Sequence, residues 1–166
     1  MNESQFWAII ADSRDEDRAG TEQQSEWLSA HLESLEPAEI LEFERNYLTF
    51  FAKAYSWHLR DAASLLFGGC GDDSFMDFRA GLIAQGQEIY TAVFDEPDDL
   101  LTLLKDAEEE ILIGASIQYV AQKIYESKTG SDMPLMLELP DEMTGENLEE
   151  SELEERYPKL WERDNA

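Results

Sequence analysis

The sequence predicts an all-α fold, a single compact multi-helix domain over residues 1–166, from three observations. Apolar residues recur at three- and four-residue intervals almost throughout the chain. Gly and Pro fall at the ends of these stretches rather than inside them. An apolar fraction of 43%, with four Trp, six Tyr and eight Phe, supplies a core that a chain of 166 residues can bury as one unit.

The elements follow in order. Phe6, Trp7, Ile9 and Ile10 form a first short stripe that runs into the charged stretch Ser13 to Gly20, where Gly20 is the expected stop. Trp27, Leu28, His31, Leu32 and Leu35 describe one buried helix face. Pro37 suits a helix start, because a first-turn residue needs no amide donor. From there to Tyr55 the apolar stripe is wide enough to predict a long central helix. Trp57 to Phe67 reads as the next helix, closed by Gly68 and Gly69. Asp72, Asp73 and Ser74 offer N-cap oxygens to a helix carrying Phe75, Phe78, Leu82 and Ile83.

Ile89, Tyr90, Val93 and Phe94 continue the pattern until Asp95-Glu96-Pro97 interrupts it, and Leu100 to Leu104 forms a short helix. Glu108 to Lys128 predicts the second long central helix, with Ile111, Leu112, Ala115, Tyr119, Val120 and Ile124 inward and Gly130 as its end. The Pro-bounded segment Met133 to Pro140 reads as extended and laid on the bundle. The helical core and this segment occupy 1–140. Residues 141–166 form an acidic tail, partly docked through Leu148, Leu153, Tyr157, Leu160 and Trp161, with a frayed end.

The surface is set by charge: 38 acidic residues against 12 basic ones give a formal net charge of −26. Such a surface repels nucleic acid and anionic membranes and attracts cationic ones. A lone cysteine, Cys70, allows no intramolecular disulfide, which fits a cytoplasmic protein. The N-terminus lacks the basic start and apolar run of a signal peptide, and no stretch approaches the roughly 18 to 20 apolar residues of a membrane span.

The densest constellation is Gly68-Gly69-Cys70-Gly71-Asp72-Asp73-Ser74-Phe75-Met76-Asp77-Phe78-Arg79. Asp73 and Asp77, four apart, share a helix face and with Asp72 would suit a divalent cation. The simpler reading has Asp72 and Asp73 capping a helix, Asp77 paired with a basic neighbour, and Arg79 tied to a carboxylate. The spacing matches no calcium loop or catalytic metal motif, so this simpler reading is adopted, with no metal or cofactor. Cys70 reads as a buried residue in a tight turn, no histidine standing near it in sequence as a base. His31 belongs to an apolar stripe, and His58 reads as a capping or exposed group. Glu108 to Glu110 fits the start of a helix, where carboxylates are favoured.

The run GGCGDDSFMDFRAGLIAQG, together with SQFWAII, the EQQSEWLSAHLESLEPAEILEF block, and the closing PDEMTGENLEE and YPKLW, resembles the bacterial family of domains of unknown function numbered forty-two forty. The resemblance implies a compact helical domain with Gly68, Gly69, Cys70, Phe75, Phe78 and Arg79 as its structural motif, and no catalytic residues. Members in toxin-rich genomic settings associate the family with immunity. Gly81 departs from the pattern, where a larger residue is expected, and predicts a local gap or a widened groove.

These features lead to the expectation of a non-enzymatic, monomeric or weakly dimeric acidic binding protein. Its most concrete form is an immunity protein that neutralises a basic bacterial toxin domain through Asp72, Asp73, Asp77, Glu149, Glu150 and Glu152. The alternatives are a regulatory adaptor with an apolar binding surface, or a metal-dependent enzyme built on the Cys70 to Arg79 turn.

Overall fold

The computed structural model describes residues 1–15, 18 and 21–166, so the expected stop at Gly20 lies outside the described residues. Helix α1 (Glu3–Ser13) opens with a capping box: the Gln5 amide donates to Asn2 Oδ1 at 2.9 Å and the Asn2 amide to Gln5 Oε1 at 2.8 Å. α2 (Glu22–Glu33) buries Leu28 and Leu32, and α3 (Pro37–Lys53) begins at Pro37 behind a second capping box formed by Glu36 and Glu39. Phe6 and Trp7 of α1 meet Phe43 and Phe50 of α3 with ring centroids 4.6 to 5.8 Å apart. These aromatic faces fix the two helices against each other.

α4 (Trp57–Phe67) ends at Gly68, whose φ of 68° is the left-handed cap that a Cβ would strain. α5 (Asp72–Ala84) is the true centre of the fold. Every residue from Phe78 to Ala84 is buried, so this stretch has no solvent face, whereas α3 buries only Ile40, Phe43, Tyr47, Phe50 and Phe51. α6 (Gln87–Asp95) leads through a 3₁₀ turn at Pro97–Asp99 into α7 (Leu100–Leu103).

The second long helix does not form. Glu108 to Lys128 divides into α8 (Ala107–Gly114), a 3₁₀ turn at Ala115–Ile117, and α9 (Val120–Thr129), with Tyr119 at a left-handed φ of 64° between them. The break lets α8 lie on α5 while α9 turns back onto α2 and α3. Leu112 and Tyr119, expected inward, are exposed, whereas Ile111, Ala115 and Val120 are buried.

Gly81 leaves no gap. A Cβ there would collide with the carbonyl oxygen of Ile111 and lie 2.8 Å from its carbonyl carbon, so the missing side chain is the space in which α8 backbone sits. The expected widened groove is a close helix crossing instead.

The C-terminal quarter docks through the expected anchors, with Tyr157 and Leu160 in the core and Leu148, Leu153 and Trp161 packed against it. Residues 133–140 are non-helical as expected, but Leu135 is 76% exposed and Leu139 also faces solvent, so the segment rests on the core mainly through Met133. Thr144 then forms a parallel bridge beside Ser56: its amide donates to the Tyr55 carbonyl at 3.1 Å, and the Trp57 amide donates to its carbonyl at 2.9 Å. α10 (Glu150–Arg156) and α11 (Pro158–Asp164) follow, with Tyr157 and Leu160 buried against the core. Buried Asp98 accepts from the Lys159 amide at 3.2 Å and the Leu160 amide at 3.0 Å, closing the first turn of α11. Arg163 donates to the Leu66 carbonyl at 2.6 Å and pairs with Glu108 at 2.9 Å. Among the described residues no helix is long and apolar enough to cross a membrane.

Candidate functional site

The motif from Gly68 to Arg79 folds as an α4 C-cap, a turn and the first two turns of α5. Gly71, not an aspartate, is the N-cap, and it lends no side chain; Asp72 and Asp73 are the first two helical residues. Their contribution is to the helix dipole rather than to capping. Asp72 pairs with Arg60 at 3.1 Å while 92% of its side chain stays exposed, and Arg60 also donates to the Cys70 carbonyl at 3.0 Å. Asp73 is exposed beside it.

Among the described residues Asp77 has no basic partner. It accepts a 2.8 Å hydrogen bond from Gln118 Nε2, which spans from α5 to the break between α8 and α9. Asp72 and Asp77 are thus drawn to different partners on different elements, and they do not converge on a shared point. No group of three or more His, Cys, Asp or Glu suited to a metal ion occurs among the described residues.

Among the described residues Arg79 has no carboxylate partner either. Its guanidinium lies 3.9 Å from the ring centroid of Phe51, 4.8 Å from Tyr55 and 4.9 Å from Phe75, and it donates to the Phe51 carbonyl at 3.1 Å and the Phe75 carbonyl at 3.4 Å. Burial pulls its pKa down to about 10, so it remains a cation. Aromatic quadrupoles and carbonyl dipoles replace the expected acid. Phe75 and Phe78 are both buried, with ring centroids 6.4 Å apart, and Phe78 also meets Phe67. A groove of about 270 Å³ between Tyr55, Phe75, Arg79 and the Leu139-Pro140 pair opens above it.

Cys70 is half-buried rather than fully buried, with its thiol 3.5 Å from the Gly71 carbonyl. Burial pushes the thiol pKa up, which disfavours the nucleophilic thiolate. His58 is neither a cap nor free: a ring nitrogen lies 3.0 Å from the Phe94 carbonyl, joining α4 to the end of α6, and burial lowers its pKa. His31 stacks on Trp27 with centroids 5.0 Å apart, a boundary residue as its stripe predicts.

The acidic cluster of the C-terminal region lies on the short helix α10 and at its N-cap. Glu149 and Glu152 make a capping box at the start of α10, the Glu149 amide donating to Glu152 Oε2 at 2.8 Å. Both carboxylates nevertheless remain exposed, as do Glu150, Glu154 and Glu155. The buried Tyr157 and Leu160 just beyond α10 hold this face in place. Five carboxylates over seven positions concentrate negative potential that side-chain pairing does little to cancel.

Two features have no counterpart in the sequence reading. Asp98 seats α11 across about sixty residues of chain, a separation that local pattern does not reveal. A groove between α1 and the α5–α6 junction is lined by Trp7, Arg14 and Gln85, residues that stand far apart in sequence.

No curated protein and no solved structure matches the chain. A family model does, over residues 1–127, which takes in α1 to α8 and most of α9 and stops short of the PDEMTGENLEE and YPKLW stretches. With a glycine-closed α4, the Asp72 turn and the buried α5 all inside that match, the chain belongs to the family described as Protein of unknown function (DUF4240).

Proposed function

We propose that this is a non-enzymatic acidic binding protein that occludes a cationic protein partner, most concretely an immunity protein acting on a basic bacterial toxin domain in the cytoplasm. The observation that carries the reading is α10: Glu149, Glu150, Glu152, Glu154 and Glu155 are exposed on a capped helix fixed by buried Tyr157 and Leu160. Exposed carboxylates at this density steer a positive partner from a distance. Asp72 and Asp73 add a second exposed acidic point at the start of α5. Asp77 contributes through position only, since its carboxylate is engaged by Gln118.

A second reading, a regulatory adaptor, draws support from exposed Leu135 and Leu139 on the extended segment, an apolar strip beside the Arg79 groove. The metal-dependent enzyme has no such support, because Asp72 and Asp77 diverge and His58 is bound elsewhere.

The test is direct capture of the purified product of the neighbouring gene at low and high salt. The proposal expects a cationic product, bound tightly at low salt and more weakly at high salt. A cationic neighbour that fails to bind at either salt, or a neighbour carrying no basic domain, contradicts it.

A further inference from the structure

Arg79 is a guanidinium only 6% exposed, held by carbonyls and ring faces with no carboxylate among the described residues. Its Nε donates to the Phe75 carbonyl at 3.4 Å and its Nη1 to the Phe51 carbonyl at 3.1 Å, whereas Nη2 donates to no described residue. The polar side-chain atoms that are both sealed from solvent and unpartnered belong to Trp7, Arg14, Arg18, Ser56 and Gln85. Nη2 of Arg79 is not one of them, and it stays open where Arg79 lines the groove of about 270 Å³. A buried charge is ordinarily matched by an opposite one, and a carboxylate matches a guanidinium best.

The rest of the groove suits a small ligand. Tyr55, Met76, Leu139 and Pro140 line it with apolar surface, and each is at least partly exposed. The Tyr55 ring centroid lies 4.8 Å from the Arg79 guanidinium, so an aromatic face and the cation share one wall. Asp72, also at the groove, is tied to Arg60 at 3.1 Å. Its carboxylate, on a protein of net charge −26, opposes any ligand that brings more than one negative charge. The volume falls just below the ~300 Å³ at which pockets take drug-sized molecules.

We propose that this groove binds a small monocarboxylate with a flat apolar body. The carboxylate accepts from Arg79 Nη2, and the body lies against Tyr55, Met76 and the Leu139-Pro140 pair. The inference does not depend on capture of a cationic protein, and its test shares no reagent with that one.

The experiment is a titration of the full chain with benzoate, followed by backbone amide resonances. The expected result is a saturable shift of the Phe75 to Arg79 and Leu139 amides with a Kd of ~1 mM or lower. Benzamide, which keeps the ring and lacks the charge, and acetate, which keeps the charge and lacks the ring, bind at least ~10-fold more weakly. Arg79→Met retains the apolar stem; it weakens benzoate by ~10-fold or more and leaves benzamide unmoved, a split that general loosening of the groove does not give. Should that variant misfold, Leu139→Asp at an exposed position serves, because it removes apolar wall and adds a negative charge, weakening benzoate by ~10-fold or more. No saturable shift in that range, equal binding of benzamide or acetate, or benzoate affinity unmoved in a folded Arg79→Met or Leu139→Asp protein overturns the proposal.

Discussion

Gly81 and Gly114 face each other where α5 crosses α8: a Cβ added at Gly114 would lie 3.2 Å from the Gly81 carbonyl oxygen and 3.0 Å from the Ala84 Cβ. The two glycines bring backbone against backbone at the centre of the fold. Gly81→Ala must displace the Ile111 carbonyl, whereas Gly114→Ala asks its neighbours to give by only a few tenths of an ångström. Overpacking of this kind costs about 3 kcal/mol at Gly81, less about 1 kcal/mol recovered from helix propensity. Urea unfolding should therefore show Gly81→Ala destabilised by about 2 kcal/mol and Gly114→Ala close to wild type. Equal effects at the two sites would argue against the crossing.

Arg79 is stabilised by ring faces and carbonyls, not by an acid, so its stem and its charge are separable. Arg79→Met keeps the apolar stem against Phe51 and Phe75 and removes the need to bury a cation. It should cost no more than about 1 kcal/mol, against about 3 kcal/mol for Arg79→Ala, which leaves a cavity. Chemical denaturation of both variants checks the order, and a larger loss in Arg79→Met than in Arg79→Ala would contradict it.

Asp98 replaces a side-chain cap for α11 from another element. Asp98→Ala should lower stability by about 1 kcal/mol and selectively raise amide exchange in α10 and α11. Exchange rising uniformly over the chain, or not at all, would show that the two helices are held in some other way.

How far these features can be read from sequence depends on whether their cause is local. The Pro37 and Pro97 starts and the Gly68 and Gly130 ends follow from the backbone preferences of single residues, and each stands where the sequence places it. The break at Tyr119 does not, because a continuous apolar register hides a left-handed residue imposed by packing. Gly81 is misread for the same reason: its meaning lies in Ile111, thirty residues on. At the candidate site the exposed glutamates of α10 are legible as charge. The partners of Asp77 and Arg79 are not, since the Gln118 amide and the Phe51 and Tyr55 rings arrive from other elements.

Burial raises the pKa of Glu44 from 4.5 to about 7, so the folded chain holds a proton that the unfolded chain has lost. The contribution is absent below pH 4.5, where both states are protonated, and stability falls as pH rises from there to about 7. Asp61, raised by burial from 3.8 to about 6, acts with the same sign. His58, lowered from 6.5, acts with the opposite sign as its unfolded form deprotonates. Glu44→Gln isolates the first group: its stability advantage over wild type should grow between pH 4.5 and 7 and then level off. Parallel melting-temperature profiles for the two proteins would contradict the assignment.

The proposed function rests on the carboxylates around α10 drawing in a positively charged protein. Glu149 and Glu152 also cap the helix, so the informative variant is Glu150→Gln with Glu154→Gln and Glu155→Gln, which removes charge and spares the capping box. The decisive measurement is the association rate of this triple variant and of wild type with the cationic neighbouring gene product across a salt series. The triple variant should associate ~10-fold more slowly at low salt and with a flatter salt dependence, its helicity unchanged. An unchanged rate and salt slope in the triple variant would contradict it.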